Sequence, residues 1–301
     1  MSSFYLKIYD DLVKFTDFCD LNKILSFITY NTVGGKGYRA ELFNLIISDI
    51  NSTELSLKTS CVYELLQSAF IVADDVMDES LIRRGVECYY RKKGLICLKY
   101  AQYLISALGK YLRMVRGENE RSPLRATYYN CILDTCLGQI LDSKKKSKEE
   151  YSVELYNRII EYKTAIYTFY LPLVSGYLFS GRKEPSCLYE YCKIIGMIFQ
   201  MQDDYLNFFP ELSKKSGNDL EEKKLTYFTC KLVKEDSEEV NEYFRTGIVS
   251  EEILKIVKGY FNIYNEEINK LIAKAEEMND VTDSKVHNLL ISLLKKRQFN
   301  K

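Results

Sequence analysis

The sequence predicts an all-α protein. Apolar residues recur at the three- and four-residue spacing of a helix face, convincing strand alternation is absent, and only four prolines interrupt the pattern. Helices are expected near residues 4–16, 20–30, 38–50, 56–79, 97–115, 124–143, 151–180, 187–209, 224–245, 250–277 and 284–297. The breaks gather turn formers and charges: GENERSP at 117–123, SKKKSKEE at 143–150, GRKEP at 181–185 and PELSKKSGND at 210–219. None is long enough to link two domains, so residues 1–301 read as one domain of about ten or more packed helices. With 47% of its 301 residues hydrophobic, the chain can fill one large core.

At the N-terminus, MSSFYLKIYDDLVKF carries acids early and lacks an apolar run followed by a small-residue cleavage site. It matches neither a secretory signal nor an Arg-rich transit peptide. Next, NTVGGKGYRAE at 31–41 sets a glycine pair before Lys36 and Arg39. Glycines allow positive φ or close backbone approach, and both cations stand at the start of a helix, where the dipole favours anions. The spacing is not that of a P-loop.

The helix at 56–79 ends in FIVADDVMDESLIRR. Asp74 and Asp78, four apart, share a face, with Asp75 about 100° round. Carboxylates at a helix C-terminus oppose the dipole unless a cation compensates them, and Arg83 and Arg84 follow at once. Further on, TAIYTFYLPLVSGYLFSG at 164–181 is uncharged for 18 positions, the lower edge of a membrane span. Its hydroxyls and central Pro172 favour a buried core helix instead, with Lys163 just before it.

FQMQDDYLNFF at 199–209 echoes the first cluster. Gln200, Asp203, Asp204 and Asn207 form a stripe of oxygen-bearing side chains near the end of a helix that Pro210 terminates. Lys214, Lys215 and Lys224 flank the following loop, and the chain closes on the basic KKRQFNK.

One acidic cluster alone is more often a solvated helix end. Two, facing one another across a cavity, make a site of hard oxygen ligands. Such a set with incomplete coordination suits Mg²⁺, with Mn²⁺ as a substitute, bridging to substrate phosphates. Together with the basic elements, the clusters suggest two phosphate-bearing groups, one bound through metal and one through cations alone. Composition narrows the rest. Forty-two Lys and Arg balance forty-two Asp and Glu, so no global field argues for nucleic acid or an anionic membrane. Nine cysteines with no CxxC pair read as reduced thiols of a cytoplasmic protein. His287 is the lone histidine, expected at a surface or interface, which argues against a His-based triad or metal site.

Taken in order, YNTVGGKGYR (30–39), ELLQSAFIVADDVMDESLIRRG (64–85), LGQILD (137–142), EYKTAIYTFYLP (161–172) and FQMQDDYLNFF (199–209), with the weaker KSGNDLEEKK (215–224), carry a resemblance. The chain resembles the short-chain trans-prenyl diphosphate synthases, most of all the eukaryotic farnesyl diphosphate synthases. The resemblance implies an isoprenoid-synthase-type bundle around a central cavity, acting as a homodimer. It implies condensation of dimethylallyl or geranyl diphosphate with isopentenyl diphosphate, releasing pyrophosphate and forming mainly farnesyl diphosphate. The alternatives are a geranylgeranyl diphosphate synthase or a catalytically weakened prenyl-diphosphate-binding subunit.

Carried over by position, Asp74, Asp75, Asp78, Asp203 and Asp204 would hold Mg²⁺ on the allylic diphosphate, with Asn207 beside them. Arg83, Lys163 and Lys215 would reach the same group, with Lys224 nearby. Lys36, Arg39, Gln67 and Arg84 would bind isopentenyl diphosphate without metal. Thr164, Tyr167 and Gln200 would line the reacting carbons, Gln139 and Asp142 would help order the metal shell, and Ala69 and Phe70 would shape the floor that limits chain length. The chain departs from the family pattern in four places. Asn207 stands for an aspartate, Asn218 for a threonine within a shortened loop, Tyr89 for a tryptophan, and Ala69 for an aromatic.

Overall fold

Helix follows helix along the chain. The computed structural model describes residues 21–48, 53–115, 122–144, 146–209 and 219–298. The helix expected at 4–16 lies outside the described residues. In chain order the elements are α1 (Leu21–Thr32), α2 (Tyr38–Ile46), α3 (Glu54–Met77), a hairpin of β1 (Ile82–Arg83) and β2 (Val86–Glu87), α4 (Tyr89–Lys93), α5 (Ile96–Met114) and α6 (Pro123–Ser143). After a 3₁₀ turn at Lys148–Glu150 come α7 (Val153–Ile160), a wide-turned π-helical segment (Glu161–Tyr170), α8 (Leu171–Ser180) and α9 (Leu188–Leu206). The last elements are α10 (Tyr227–Leu232), α11 (Glu238–Thr246), α12 (Glu251–Gly259), α13 (Phe261–Glu277) and α14 (Ser284–Lys296).

Two compact units are distinguishable, one of residues 1–133 and 168–184, the other of residues 134–167 and 185–301. In the first, α3 starts with a capping box between Thr53 and Ser56 and runs for 24 residues, packed on α5 and α2. Leu65, Leu66, Leu104 and Leu108 are fully buried there. Gly176 of α8 allows a close crossing with α2, because a Cβ at that position would stand 2.7 Å from Cβ of Ile46. Phe43 of α2 fills the same region, with its ring 5.5 Å from Tyr63 and 5.4 Å from Phe179.

In the second unit α9 packs on α7, α13 and α14. Its lower half is an aromatic cluster in which Tyr205 stacks on Tyr264 at 4.7 Å, with Phe261 4.9 Å from the Tyr205 ring. His287, expected at a surface or interface, is buried within the unit instead. Its Nδ1 lies 3.0 Å from the Tyr191 hydroxyl, and burial holds its pKa below the usual value.

Three expected helices are interrupted, each for a local reason. The stretch expected at 151–180 is helical from Val153 on but widens into the π-helical segment just before Pro172, whose missing N–H and bulky ring disfavour an ordinary turn there. The stretch 224–245 splits because Ser237 caps a new start at α11, accepting from the Val240 N–H at 3.2 Å. The stretch 250–277 breaks at Tyr260, directly after the weak helix former Gly259. The hairpin was not expected. Arg84 and Gly85 both adopt positive φ, 55° and 79°, as a tight two-residue hairpin turn requires. Residues Leu171 to Tyr177 are buried, and among the described residues no helix is long and apolar enough to cross a membrane.

Candidate active site

In the first unit the acidic end of α3 meets Arg83 from the hairpin. Asp74 and Asp78 lie one turn apart and are both part-exposed, whereas Asp75 is buried. Arg83 explains how a buried carboxylate is tolerated. Its Nη2 lies 2.5 Å from Asp75 Oδ1, its Nε donates to the same oxygen at 2.8 Å, and Nη2 stands 3.7 Å from Asp74. Burial still pushes the Asp75 carboxyl upward, against the pull of Arg83. Asp75 is thus held from within by Arg83, while Asp74 and Asp78 remain part-exposed.

Arg84 joins the hairpin to the glycine turn. Its Nη1 donates to the carbonyls of Asn31 at 2.9 Å and Val33 at 3.2 Å. Gly34 and Gly35 lie against the same side chain, since a Cβ on Gly35 would stand 3.4 Å from both terminal nitrogens. Gly34 and Gly37 have φ of 77° and 74°, so here the glycines supply a backbone that other residues rarely adopt. Lys36 is exposed on this turn.

The start of α2 is not open to an anion as expected, because it already has one. The buried carboxylate of Glu64 on α3 accepts from the N–H of Arg39 at 2.7 Å and of Ala40 at 3.2 Å. Side chains are therefore left to bind any anion at this end. The Arg39 guanidinium reaches over to donate to Thr168 Oγ1 at 2.7 Å. Gln67 is half-buried, and its amide oxygen has no donor among the described residues. Below Asp74, Ala69 is fully buried and Phe70 nearly so.

In the second unit the π-helical segment carries Lys163, Thr164 and Tyr167. Wide turns of this kind occur often at functional positions, and two glycines make room for this one. A Cβ on Gly138 of α6 would fall on the Lys163 backbone nitrogen and 2.7 Å from the Tyr162 carbonyl carbon. A Cβ on Gly196 of α9 would stand 2.8 Å from Cα of Ala165. Gly138→Ala is accordingly expected to lower stability by about 1–3 kcal/mol and to reduce kcat, because backbone must move. Urea unfolding and steady-state rates check this; an unchanged midpoint with full activity would contradict it.

Lys163 Nζ lies 2.5 Å from Asp142 Oδ2. Thr164 Oγ1 donates to Gln200 Oε1 at 2.9 Å, and Gln200 Nε2 donates to Asp204 Oδ1 at 3.0 Å. The other Asp204 oxygen accepts from the Tyr156 hydroxyl at 2.6 Å and the Tyr227 N–H at 2.9 Å. Burial pushes the Asp204 carboxyl up to about 7 against the pull of these donors. Like Asp75, it is satisfied from within.

Asp203 is part-exposed and is held by Arg297 at 2.7 Å. Asn207 closes α9, and its Oδ1 accepts the Asp219 N–H at 3.1 Å, so that oxygen secures the following turn. Lys224 Nζ lies 3.0 Å from Glu222 and 3.8 Å from Asp219. Tyr167 is half-buried. Lys215 and Asn218 lie outside the described residues.

Among the described residues no three acidic, cysteine or histidine side chains gather closely enough to hold a metal ion alone. Asp74 and Asp78 in the first unit, and separately Asp203 in the second, nevertheless have the chemistry of hard-cation ligands, as part-exposed carboxylates at helix C-termini. Guanidinium groups already stand close to two of them. They fit a divalent cation whose shell is completed by water and phosphate oxygens.

A sequence profile of the polyprenyl synthetases matches residues 22–258. The chain belongs to the polyprenyl synthetase family. It is 29% identical over 259 residues to the farnesyl pyrophosphate synthase of Bos taurus, covering 79% of this chain and 73% of that protein. It is 32% identical over 232 residues to farnesyl pyrophosphate synthase 2 of Arabidopsis thaliana, covering 70% and 68%. To the geranylgeranyl pyrophosphate synthase of Schizosaccharomyces pombe it is 30% identical over 287 residues, covering 88% and 80%. The fold is that of a T. brucei farnesyl diphosphate synthase solved with a bisphosphonate, with a TM-score of 0.81 at 20% identity over 100% of this chain and 97% of that one.

Sequence reasoning missed three residues of this polyprenyl synthetase. Glu64, Tyr156 and Arg297 each touch a site residue or its backbone. Glu64 lies inside a recognised motif as an acidic residue directly before Leu65 and Leu66 on the buried part of α3, which is a usable signal. Tyr156 is one tyrosine among 25 and carries none.

Proposed function

We propose that the chain is a divalent-metal-dependent trans-prenyltransferase that joins isopentenyl diphosphate to dimethylallyl and then geranyl diphosphate, forming mainly farnesyl diphosphate. The observation that carries this reading is that two helices each end in a part-exposed aspartate, Asp74 and Asp203, already attended by a guanidinium. Mg²⁺, or Mn²⁺ in its place, would supply charge neutralisation for the departing pyrophosphate.

The chain's own residues do the rest. Asp74, Asp78 and Asp203 are the cation ligands, and Asp75 and Asp204 brace them from inside. Lys163 exchanges Asp142 for a phosphate oxygen of the allylic substrate, which Arg83, Lys215 and Lys224 also serve. The Thr164–Gln200–Asp204 chain fixes the Gln200 amide, so its dipole needs no reorganisation as positive charge develops on the allylic carbons, which Tyr167 would also line. Lys36, Arg39, Arg84 and Gln67 bind isopentenyl diphosphate without metal.

With both substrates and Mg²⁺ the protein is expected to release pyrophosphate, and EDTA is expected to stop it. Retained binding of both substrates with no release would favour a binding subunit instead. Lys36→Ala and Arg39→Ala are each expected to raise KM for isopentenyl diphosphate about tenfold or more, with little change in the Mg²⁺ requirement. Equal loss of affinity for the allylic substrate would contradict the division of roles.

A geranylgeranyl product is the second reading. Ala69 favours it, and so does similarity to the S. pombe enzyme over 88% of the chain. We also read the enzyme as a homodimer, because Tyr129, Leu133, Leu137 and Ile140 form an exposed apolar stripe on α6. Leu133→Glu is expected to shift its sedimentation to that of a monomer, and an unchanged dimer would rule that stripe out. A cytoplasmic location accords with the free cysteines among the described residues.

A further inference from the structure

The end of α14 places a cation on a carboxylate that the proposed function assigns to metal. Arg297 Nη2 donates to Asp203 Oδ1 at 2.7 Å, and the two side chains are 12% and 26% exposed. The guanidinium also lies over the Phe199 ring, 4.1 Å from its centroid, so an aromatic face fixes the plane of its donors. Gln298 next to it bonds to Asn269 of α13 at 2.9 Å. Arg297 is therefore held by a carboxylate and a ring face, with its neighbour Gln298 anchored to α13, and is not a passing surface contact. One feature is unsatisfied: its Nε–H is buried with no acceptor among the described residues. A buried, unused donor beside an ion pair is a cost that a better-matched arrangement would remove.

We propose that Arg297 is the resident counter-ion of Asp203 and sets the cation affinity of the site. In the ligand-free protein the guanidinium neutralises the carboxylate at the end of α9. A divalent cation must then displace an arginine as well as water. This rests on the reading of Asp203 as a cation ligand. It adds that the arginine weakens cation binding until diphosphate arrives, because a like-charged group next to a cation ligand opposes the cation. Diphosphate would then offer the displaced guanidinium, with its spare Nε–H, an acceptor of its own.

The test is Mn²⁺ binding, read from the loss of its free electron-spin-resonance signal, with and without inorganic pyrophosphate. Without pyrophosphate, Arg297→Gln is expected to bind Mn²⁺ about three- to tenfold more tightly than the parent protein, the range for a partly exposed ion pair. Arg297→Lys, which keeps the charge but loses the planar stack, should fall between them. With pyrophosphate present the advantage of Arg297→Gln should shrink.

Asp203→Asn separates the two levels of the argument. Unchanged Mn²⁺ binding in Asp203→Asn would overturn the ligand assignment itself. Weakened binding there, with Arg297→Gln equal to or weaker than the parent, would overturn the counter-ion role alone. Circular dichroism establishes that each variant is folded, and Arg297→Lys decides the matter if Arg297→Gln is not.

Discussion

Asp74→Ala and Asp203→Ala are each expected to lower kcat about a hundredfold or more at saturating substrate. Both carboxylates are part-exposed at the C-terminal ends of their helices, where a cation is the natural complement. Removing either would leave the departing pyrophosphate short of a ligated positive charge, and removing Asp203 would also take away the carboxylate that holds Arg297. Asn207→Ala should cost far less, because its amide oxygen secures the Asp219 N–H and brings no charge. Asn207→Asp can accept the same bond, so it should leave the Mg²⁺ concentration for half-maximal rate unchanged. A large fall in that concentration would place position 207 among the metal ligands. Equal losses in Asp203→Ala and Asn207→Ala would contradict the division between the two.

The second large effect concerns product length. On the proposed function, a chain growing from the metal-bound diphosphate would run down along α3, and Phe70 lies one turn below Asp74, about 6 Å along the axis. Ala69 sits slightly deeper and is fully buried. Where relatives are expected to carry an aromatic ring, this chain has a methyl group, and the smaller side chain would let the floor admit one more five-carbon unit unless a neighbour fills the space. Any twenty-carbon fraction made by the parent enzyme should vanish in Ala69→Phe. Because an added ring at a fully buried position also strains packing, the readout is the product ratio and not the rate. A twenty-carbon fraction that persists undiminished would mean that residue 69 is no part of the floor.

Much of this was legible in the sequence, and the exceptions have physical reasons. The long apolar helices α3, α5, α6 and α9 fall within two or three residues of their expected ends, because burial of one face sets both period and length. The π-helical segment was read as ordinary helix. Its apolar pattern alone does not reveal the wider turn, and the glycines that accommodate it, Gly138 and Gly196, come from distant helices. Asp74 and Asp78 were read on one face with Asp75 turned aside, as observed. That Asp75 and Asp204 would be satisfied internally was not foreseen, since their partners include a hairpin arginine, a distant tyrosine and a backbone N–H. The helix dipole at α2 pointed to an anion, and that its backbone N–H groups would be taken by Glu64, 25 residues beyond Arg39 in sequence, was not legible.

The most direct test of the account is the length of the product. The enzyme is incubated with isopentenyl diphosphate, geranyl diphosphate and Mg²⁺, the products are dephosphorylated, and the alcohols are separated by chromatography. The account predicts farnesol as the main alcohol, with geranylgeraniol as the lesser one, and neither without Mg²⁺. Recovery of geraniol alone, with both substrates bound and Mg²⁺ present, would contradict it.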